Sequence, residues 1–407
     1  MLASVYDVTG WAVRSITDAA SAAAGLDGLR RGVAPAAVSV EPRLAAAAFL
    51  SEALFSPVGW ELPPPWDPIA GDYPTADGWI RLHTNYAGHR RAALSALGLA
   101  ADADRDAVAA AVAACDGAVL ETAVVDAGGA AAVMHAAAEW RAHEHGRVAV
   151  AEPLVRVDEA GAAVARRWRL GPSPLSGIRV LDLTRVIAGP ECTSFLARLG
   201  ADVVRVDPPG FEEVPALVPV TMAGKRLVEL DIRSAPDRFA ELVSLSDVVV
   251  HGLRPGALDG LGFSDAKLRS INPALVVGAL DAYGWEGPWA RRRGFDSLVQ
   301  MSCGIAARGM EAYGADRPRP LPAQALDHGA GFTLAAAVCR ALARLLTDGV
   351  ASSVRTSLVG VANVLMAAED GDPHAPPPAW DDDLFEPVDT PWGPARRPRF
   401  PAALSEL

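Results

Sequence analysis

The sequence predicts an α/β protein with an open parallel sheet, flanking helices and a smaller α+β domain. From Gly177 onward, apolar runs of strand length alternate with helical stretches of roughly 10 to 15 residues, which is typical of a parallel sheet with right-handed crossovers. The length of 407 residues also indicates two or three domains at roughly 150 residues each. Passages rich in proline and glycine at residues 57–74 and 171–177 mark the places where domains would be joined.

These passages divide the chain into four regions. Residues 1–56 form an Ala-rich segment with helical spacing, and residues 57–170 form the smaller domain. Residues 171–370 form the large α/β domain, and we expect the proline-rich tail, residues 371–407, to pack back on the body. In the smaller domain the patterns predict strands at 79–82 and 152–157, and helices at 89–97, 104–115, 117–127 and 136–143.

The large domain begins with a βαβ unit. The apolar run at 178–183 predicts a strand, the segment from Pro190 a helix, and residues 201–206 the next strand. The turn at 184–190 carries small residues at the carboxyl end of a parallel strand, where ligands bind in such sheets, although a plain connection is the alternative interpretation. Further along, the patterns predict strands at 227–232, 247–251 and 274–280, and helices at 235–243 and 264–271.

A long apolar helix is predicted within residues 321–346, with Asp327 at its start. Aspartate is a favoured N-cap that contributes about 1 kcal/mol, so a purely structural cap is one interpretation. The other is catalytic, because free amides and the helix dipole keep a carboxylate ionised there, as a carboxylate nucleophile requires. The amides of Gly329, Ala330 and Gly331 are then candidates for stabilising an oxyanion. A strand and a helix are predicted within residues 352–367.

Composition and motif spacing argue against several functions. The net charge of −12 disfavours a nucleic-acid partner, which needs a basic face. No run of roughly 18 apolar residues and no secretory signal is evident, so we expect no membrane partner and a cytoplasmic location. The four cysteines lack CxxC spacing and the histidines lack HExxH spacing, which argues against a metal site. Without GxGxxG, GxxxxGK[ST] or GxSxG motifs, we expect no permanently bound cofactor.

Several stretches resemble one known family. The string LDLTRVIAGP at 181–190, followed by LGADVVRVDPPG at 199–210, resembles the opening of the class III coenzyme A transferases. This family includes formyl-CoA transferase, carnitine CoA-transferase and α-methylacyl-CoA racemases. GKRLVELDI at 224–232, HGLRPGALDGLGF at 251–263 and the segment from residue 321 resemble further family segments. The DGW, AGG and EPLVRV strings in residues 57–170 resemble the small domain that normally follows the catalytic half, so the resemblance implies a permuted order or one member of a tandem that lost its ends.

The resemblance implies a fold, a reaction and its residues. The fold would be Rossmann-like, and the reaction would transfer CoA from an acyl-CoA to a carboxylic acid through an aspartyl anhydride and an aspartyl-CoA thioester. Coenzyme A would be a substrate, and the protein would be a homodimer. The matching positions make Asp327 the catalytic residue. The implied CoA-binding residues are Arg185, Val186, Ala188, Lys225, Leu253, Arg254 and Tyr283.

Departures from the family pattern affect the expected phosphate contacts, and they keep two alternative functions open. Gly224, Gly260 and Pro208 stand where the family commonly has Asn, Arg and Arg, so Arg205 or Arg226 could supply phosphate contacts instead. An acyl-CoA racemase would use a histidine in a GHD triplet, where this chain has Phe295, and His328 is the candidate replacement base. The second alternative is a CoA-binding protein without turnover.

Overall fold

The computed structural model describes residues 1–163, 166–211 and 213–405. In these ranges the strands, numbered along the chain, are β1 (Ala37–Val40), β2 (Ser56–Pro57), β3 (Gly71–Pro74), β4 (Trp79–Leu82), β5 (Ala131–Val133), β6 (Arg156–Ala162), β7 (Arg179–Leu183), β8 (Asp202–Asp207), β9 (Arg226–Glu229), β10 (Val248–His251), β11 (Val276–Asp281), β12 (Val350–Ser357), β13 (Phe385–Thr390), β14 (Gly393–Pro398) and β15 (Ala402–Ser405).

The helices pack on and between these strands. In the same described ranges they are α1 (Val8–Arg31), α2 (Pro42–Ala48), α3 (Ser51–Leu54), α4 (Ala87–Ala96), α5 (Arg105–Ala113), α6 (Gly117–Asp126), α7 (Ala137–Ala142), α8 (Glu144–Ala149), α9 (Ala188–Arg198), α10 (Val218–Thr221), α11 (Pro236–Leu245), α12 (Ala257–Gly260), α13 (Asp265–Ile271), α14 (Asp296–Cys303), α15 (Ile305–Ala312), α16 (Ala325–Thr347) and α17 (Leu358–Ala367).

The large sheet has seven strands in the order β6-β12-β11-β10-β7-β8-β9. Every neighbouring pair is parallel except β6 and β12 at one edge. Strand β10 is buried along its whole length because helices cover both faces of the sheet, which explains its uninterrupted apolar residues. The predicted α/β class with an open, mostly parallel sheet is confirmed.

The predicted βαβ unit is formed by β7, α9 and β8, and β7 pairs with β8 in parallel. Helix α9 begins at Ala188, two residues before the predicted start at Pro190. Proline is compatible with this position because the first turn of a helix makes no backbone hydrogen bond to a preceding turn. Because the turn between β7 and α9 follows the carboxyl end of β7, it lies at the edge of the sheet where ligands bind in this class of fold.

Helix α16 is the central helix of the body. It packs against α1 on one side and α9 on another, and nearly all of its first eighteen residues are buried. Its length and mean hydropathy would suffice to cross a membrane, which the sequence interpretation missed because it considered unbroken apolar runs. In the protein, 78% of the apolar 18-residue stretch of this helix is buried, so its apolar side chains pack against neighbouring elements on several faces.

A three-stranded sheet of β3, β4 and β5, covered by α4, α5 and α6, accounts for most of the predicted smaller α+β region. The predicted strand at 152–157 lies elsewhere, because β6 pairs with β12 at the edge of the large sheet. At the chain ends β15 pairs with β1, and β14 pairs with both β13 and β2. The N-terminal segment and the tail are thereby joined beside the body.

Candidate active site

Asp327 occupies the first turn of α16 but does not cap it. The helix begins at Ala325, and its capping acceptor is the Asp296 carboxylate at the start of α14. Its Oδ2 accepts the amides of Leu326 at 2.8 Å and of Asp327 at 3.0 Å, while Gln300 donates to its other oxygen. The capping role that the sequence allowed for Asp327 therefore belongs to Asp296, and the side chain of Asp327 is left for another purpose.

The Asp327 side chain lies where two cavities meet. The larger cavity, about 750 Å³, is roofed by residues 61–66, and we call it the roofed cavity. The smaller, about 340 Å³, lies at the carboxyl edge of the large sheet, and we call it the sheet-edge cavity. Asp327, Val186 and Phe295 line both cavities. Within the described part of the chain no group donates a hydrogen bond to the Asp327 carboxylate, so a ligand in either cavity can contact it.

The electrostatics at Asp327 differ from the sequence prediction. Burial raises the pKa of Asp327 well above its ordinary value, and the nearby Asp296 carboxylate raises it further. Burial also raises the pKa of Asp296, to about 6, although three hydrogen bonds favour its ionised form. The prediction that free amides keep Asp327 ionised is wrong, because Asp296 accepts those amides. Burial and the Asp296 carboxylate thus both act against the ionised form of Asp327, whereas hydrogen bonds stabilise the negative charge on Asp296.

The predicted oxyanion donors Gly329, Ala330 and Gly331 are also a correction. All three lie inside α16, where backbone amides donate to carbonyls one turn earlier and are not free for a ligand. The two glycines serve packing instead: a Cβ on Gly329 would lie 2.2 Å from the indole nitrogen of Trp11 in α1. A Cβ on Gly331 would lie 2.6 Å from the carbonyl oxygen of Ala188 in α9. Their small size lets three helices approach closely.

His328 is held between two carboxylates on another side of α16. Its Nδ1 lies 2.9 Å from Glu191 and its Nε2 lies 3.0 Å from Glu52. These contacts raise the pKa of His328 well above its ordinary value, although burial alone would lower it. An imidazolium that donates a hydrogen bond from each ring nitrogen has no free nitrogen to accept a proton. The structure thus contradicts the suggestion that His328 replaces the racemase base.

Five of the seven expected CoA-binding residues lie in the wall of the sheet-edge cavity: Arg185, Val186, Ala188, Leu253 and Arg254. Val186 has φ of 67°, and it is the one residue other than glycine with positive φ in the described ranges. For a β-branched residue this conformation costs about 1–3 kcal/mol, and such strain is typical of functional sites. Its amide donates to Glu213 at 3.2 Å, which holds the turn in place beside Asp327.

Lys225 and Tyr283 are not in that wall. The ammonium of Lys225 is fully buried and donates to Asp182 at 3.1 Å and Thr193 at 2.7 Å, so it joins β7 to α9 and cannot reach a phosphate. Tyr283 is 1% exposed, and its hydroxyl is bonded to Ser302 at 3.2 Å. The family resemblance implied both residues from their positions in the sequence, which do not show the direction of a side chain, and both expectations are corrected.

Other arginines near the turn are occupied by carboxylates. Arg185 pairs with Asp207 at 2.6 Å, and Arg205 pairs with Asp207 and Glu213 while remaining buried. Arg226 binds Asp202 at the far edge of the sheet. Arg205 and Arg226 therefore do not supply the phosphate contacts that the sequence interpretation left open for them.

Two arginines face the sheet-edge cavity without a carboxylate partner among the residues that the structure describes. Arg254 and Arg293 line the cavity, and the guanidinium of Arg293 donates to the carbonyl of Gly128 at 2.9 Å. After burial, their positive charge is the next cause that lowers the pKa of His89, which falls to about 4. Guanidinium groups of this kind suit phosphate oxygens. The sequence interpretation missed Arg293, although it stands in a run of three arginines, residues 291–293.

Phe295 forms the wall between the two cavities. Its ring lies parallel to the imidazole of His83 with 3.6 Å between the ring centroids. Burial lowers the pKa of His83 to about 3, so His83 is neutral. Among the described residues no three His, Cys, Asp or Glu side chains come together as metal ligands. The ionisable groups at the junction are consequently the two aspartates and the arginines of the sheet-edge cavity.

Comparison with known proteins matches this half of the chain to a family. The description CoA-transferase family III matches residues 175–378, about half of the chain. A "probable fatty acyl-CoA transferase" of Mycobacterium tuberculosis is 34% identical over 209 residues, which are 48% of this chain and 52% of that protein. A formyl-CoA:oxalate CoA-transferase of Rhodopseudomonas palustris is 32% identical over 205 residues, covering 47% of this chain and 48% of that protein.

Among solved structures, a hypothetical protein from Mycobacterium tuberculosis aligns with a TM-score of 0.44 at 34% identity, covering 49% of this chain and 57% of that one. The chain spans about half the length of the curated relatives it matches. The matched residues include β7 to α17 and both aspartates at the cavity junction.

Proposed function

The chain belongs to CoA-transferase family III, and from that premise we propose that it transfers coenzyme A from an acyl-CoA thioester to a carboxylic acid, with Asp327 as the nucleophile. The observation that carries the proposal is the position of Asp327 at the junction of two cavities, one of which contains two guanidinium groups that have no carboxylate partner among the described residues. Coenzyme A would place its phosphates beside Arg254 and Arg293 and its thioester at Asp327. The acyl group would then extend into the roofed cavity.

The chemistry needs only carboxylates and thioesters. An Asp327 oxygen attacks the thioester carbonyl of the donor, the carbon–sulfur bond breaks, and an acyl-aspartyl anhydride and CoA thiolate form. The thiolate attacks the aspartyl carbonyl and releases the donor acid, which leaves an aspartyl-CoA thioester. An acceptor carboxylate attacks this thioester, and the expelled thiolate then attacks the acceptor carbonyl of the new anhydride. The products are acceptor acyl-CoA and the original carboxylate.

Each tetrahedral intermediate requires hydrogen-bond donors fixed in advance. We assign this role to the first amides of α9, at Ala188 and Gly189, in place of Gly329 to Gly331. Helix α9 has no side-chain cap, and both residues line the sheet-edge cavity together with Asp327. A Cβ on Gly189 would lie 2.3 Å from Thr184, so only glycine permits the close approach of this turn.

The raised pKa of Asp327 has a consequence for this mechanism. Only the ionised carboxylate is a nucleophile, so the reaction requires loss of the Asp327 proton. We therefore propose that the rate rises with pH through the pKa of this group. A homodimer and a cytoplasmic location, both expected from the sequence, remain part of the proposal.

An acyl-CoA racemase is the second candidate. It needs two groups that exchange protons on opposite faces of the α-carbon, and Phe295 stands where that branch has histidine. His83, which is stacked on Phe295, is the remaining imidazole in the roofed cavity, but a pKa of about 3 makes it a weak base. A CoA-binding protein without turnover is the third candidate, and the accessible Asp327 carboxylate argues against it.

An exchange assay separates the three candidates. The protein is incubated with a panel of acyl-CoAs and free acids, and new acyl-CoAs are measured by liquid chromatography and mass spectrometry. We expect exchange with the native protein and with Asp348→Asn, an exposed control at the other end of α16, and a loss of roughly a thousandfold or more with Asp327→Asn. Uptake of deuterium at the α-carbon without exchange would favour the racemase, and binding with neither would favour the third candidate.

A further inference from the structure

The wall of the roofed cavity differs in charge from the sheet-edge cavity. As the structure describes it, that wall contains no lysine and no arginine. Most of its members are aliphatic or aromatic side chains, which favour burial of apolar groups. The larger apolar side chains among them include those of Leu50, Leu62, Trp66, Ile187, Leu217 and Leu321.

The ionisable members of the wall are acidic or neutral. Glu52, Glu61, Asp296 and Asp327 line the cavity, and Glu52 is already paired with His328. The one histidine in the wall, His83, is neutral because burial lowers its pKa to about 3. A ligand carboxylate that reached beyond Asp327 would meet other acids and no cation, and such an arrangement of like charges disfavours binding.

The roof of the cavity is built from constrained residues. Pro63, Pro64 and Pro65 have fixed φ angles, and the side-chain amide of Asn85 donates a hydrogen bond to the Pro65 carbonyl at 3.0 Å. The cavity of about 750 Å³ lies within the usual range for sites that enclose a whole small ligand. An acyl group of two or three carbons would contact little of this wall, whereas a longer apolar chain would displace water from it.

We infer that the acyl group is apolar, of medium or long chain, and carries no second carboxylate. The inference rests on the proposed function for the orientation of the thioester, with the nucleotide at the sheet edge and the acyl group under the roof. Dicarboxylic acyl groups are disfavoured because the described residues that line the acyl side of Asp327 include no lysine or arginine to pair with the distal carboxylate.

Binding to Asp327→Asn protein tests the inference without any turnover. Dissociation constants are measured by calorimetry for CoA and for butanoyl-, hexanoyl-, octanoyl- and octanedioyl-CoA. We expect affinity to improve by up to about fourfold for each added methylene, which corresponds to about 0.8 kcal/mol. Octanedioyl-CoA should bind at least roughly a hundredfold more weakly than octanoyl-CoA, because its terminal carboxylate enters an acidic, apolar wall.

A positive charge introduced into the wall of the roofed cavity provides a second test. Ala53 is exposed in helix α3 and lines the cavity, so Ala53→Arg should fold normally and supply the missing cation. We expect it to strengthen binding of octanedioyl-CoA at least tenfold relative to octanoyl-CoA, and Ala53→Gln to leave the ratio unchanged. Equal binding of the two acyl-CoAs by the Asp327→Asn protein, or affinity independent of chain length, overturns the inference. If the native protein shows no CoA exchange but the acyl-CoA affinities rank as expected, only the proposed transferase activity is overturned.

Discussion

Replacing Asp296 by asparagine should move the acid limb of the pH–rate profile to lower pH. The asparagine side chain would keep an acceptor oxygen for the amides of Leu326 and Asp327 but would remove the negative charge beside the nucleophile. That charge is, after burial, the main cause of the raised pKa of Asp327. Two like unit charges about 4 Å apart repel by about 4 kcal/mol at an effective dielectric of about 20, so removing a neighbouring charge of this kind should lower the pKa of Asp327 by a measurable amount.

The sign follows from the direction of the shift. A lower pKa leaves Asp327 ionised at more acidic pH, so kcat/KM of Asp296→Asn, relative to its own plateau, should exceed that of the native protein below neutrality. We expect the whole acid limb of the variant to lie at lower pH than that of the native protein, because the like charge that raises the pKa of Asp327 is gone. The assay measures kcat/KM between pH 5 and 9, roughly, with Asp348→Asn as the control. An unchanged limb, or one that moves to higher pH while CoA still binds, would refute the reasoning.

Three further predictions concern binding and stability. Arg254→Ala should weaken CoA binding by about tenfold to a hundredfold in calorimetry, because a hydrogen bond from a charged guanidinium to a phosphate contributes about 1.5–3 kcal/mol; unchanged affinity would remove Arg254 from the site. Glu191→Gln should lower the free energy of unfolding in urea by about 1–3 kcal/mol at pH 6, because it keeps an acceptor oxygen but removes the negative charge that faces the buried imidazolium of His328. Since the pKa of His328 is raised, this loss should shrink as pH rises through the folded-state pKa; a loss that grows with pH would contradict it. Gly329→Ala should lower the free energy of unfolding by about 1–3 kcal/mol, because its Cβ would overlap the indole of Trp11, and an unchanged melting temperature would show that α1 yields freely.

The sheet was predictable because its strands are separated in sequence and uniformly apolar. In β10, three consecutive valines precede His251, and residues of this kind suit only a strand buried on both faces. The turn at 184–190 was located at the carboxyl edge for the same reason, since the direction of a parallel strand determines where its turn lies. The edge strand β6 was assigned to the smaller domain, although it belongs to the large sheet. Its pairing with β12 joins Arg156 to Arg355, and no local pattern in the sequence predicts a contact between residues so far apart.

Side-chain direction was the part that the sequence could not supply. Lys225 was implied as a CoA-binding residue, but its partner Asp182 lies on β7, and only the fold shows that the two side chains are buried together. Asp327 was correctly associated with the start of α16, yet the cap comes from Asp296, thirty-one positions earlier. The sequence interpretation considered the Gly294-Phe295-Asp296 triplet for its phenylalanine, whereas its aspartate also shapes the site.

Trapping the acylated form of Asp327 tests the central claim most directly. The protein is mixed with octanoyl-CoA, quenched with hydroxylamine and digested, and the peptide from the start of α16 is examined by mass spectrometry. Hydroxylamine converts an aspartyl anhydride or thioester to a hydroxamate but leaves a free carboxylate unchanged. The account predicts a hydroxamate at Asp327 that depends on acyl-CoA and is absent when CoA is supplied alone. Turnover of acyl-CoA with an unmodified Asp327, or with the label on another residue, would contradict it.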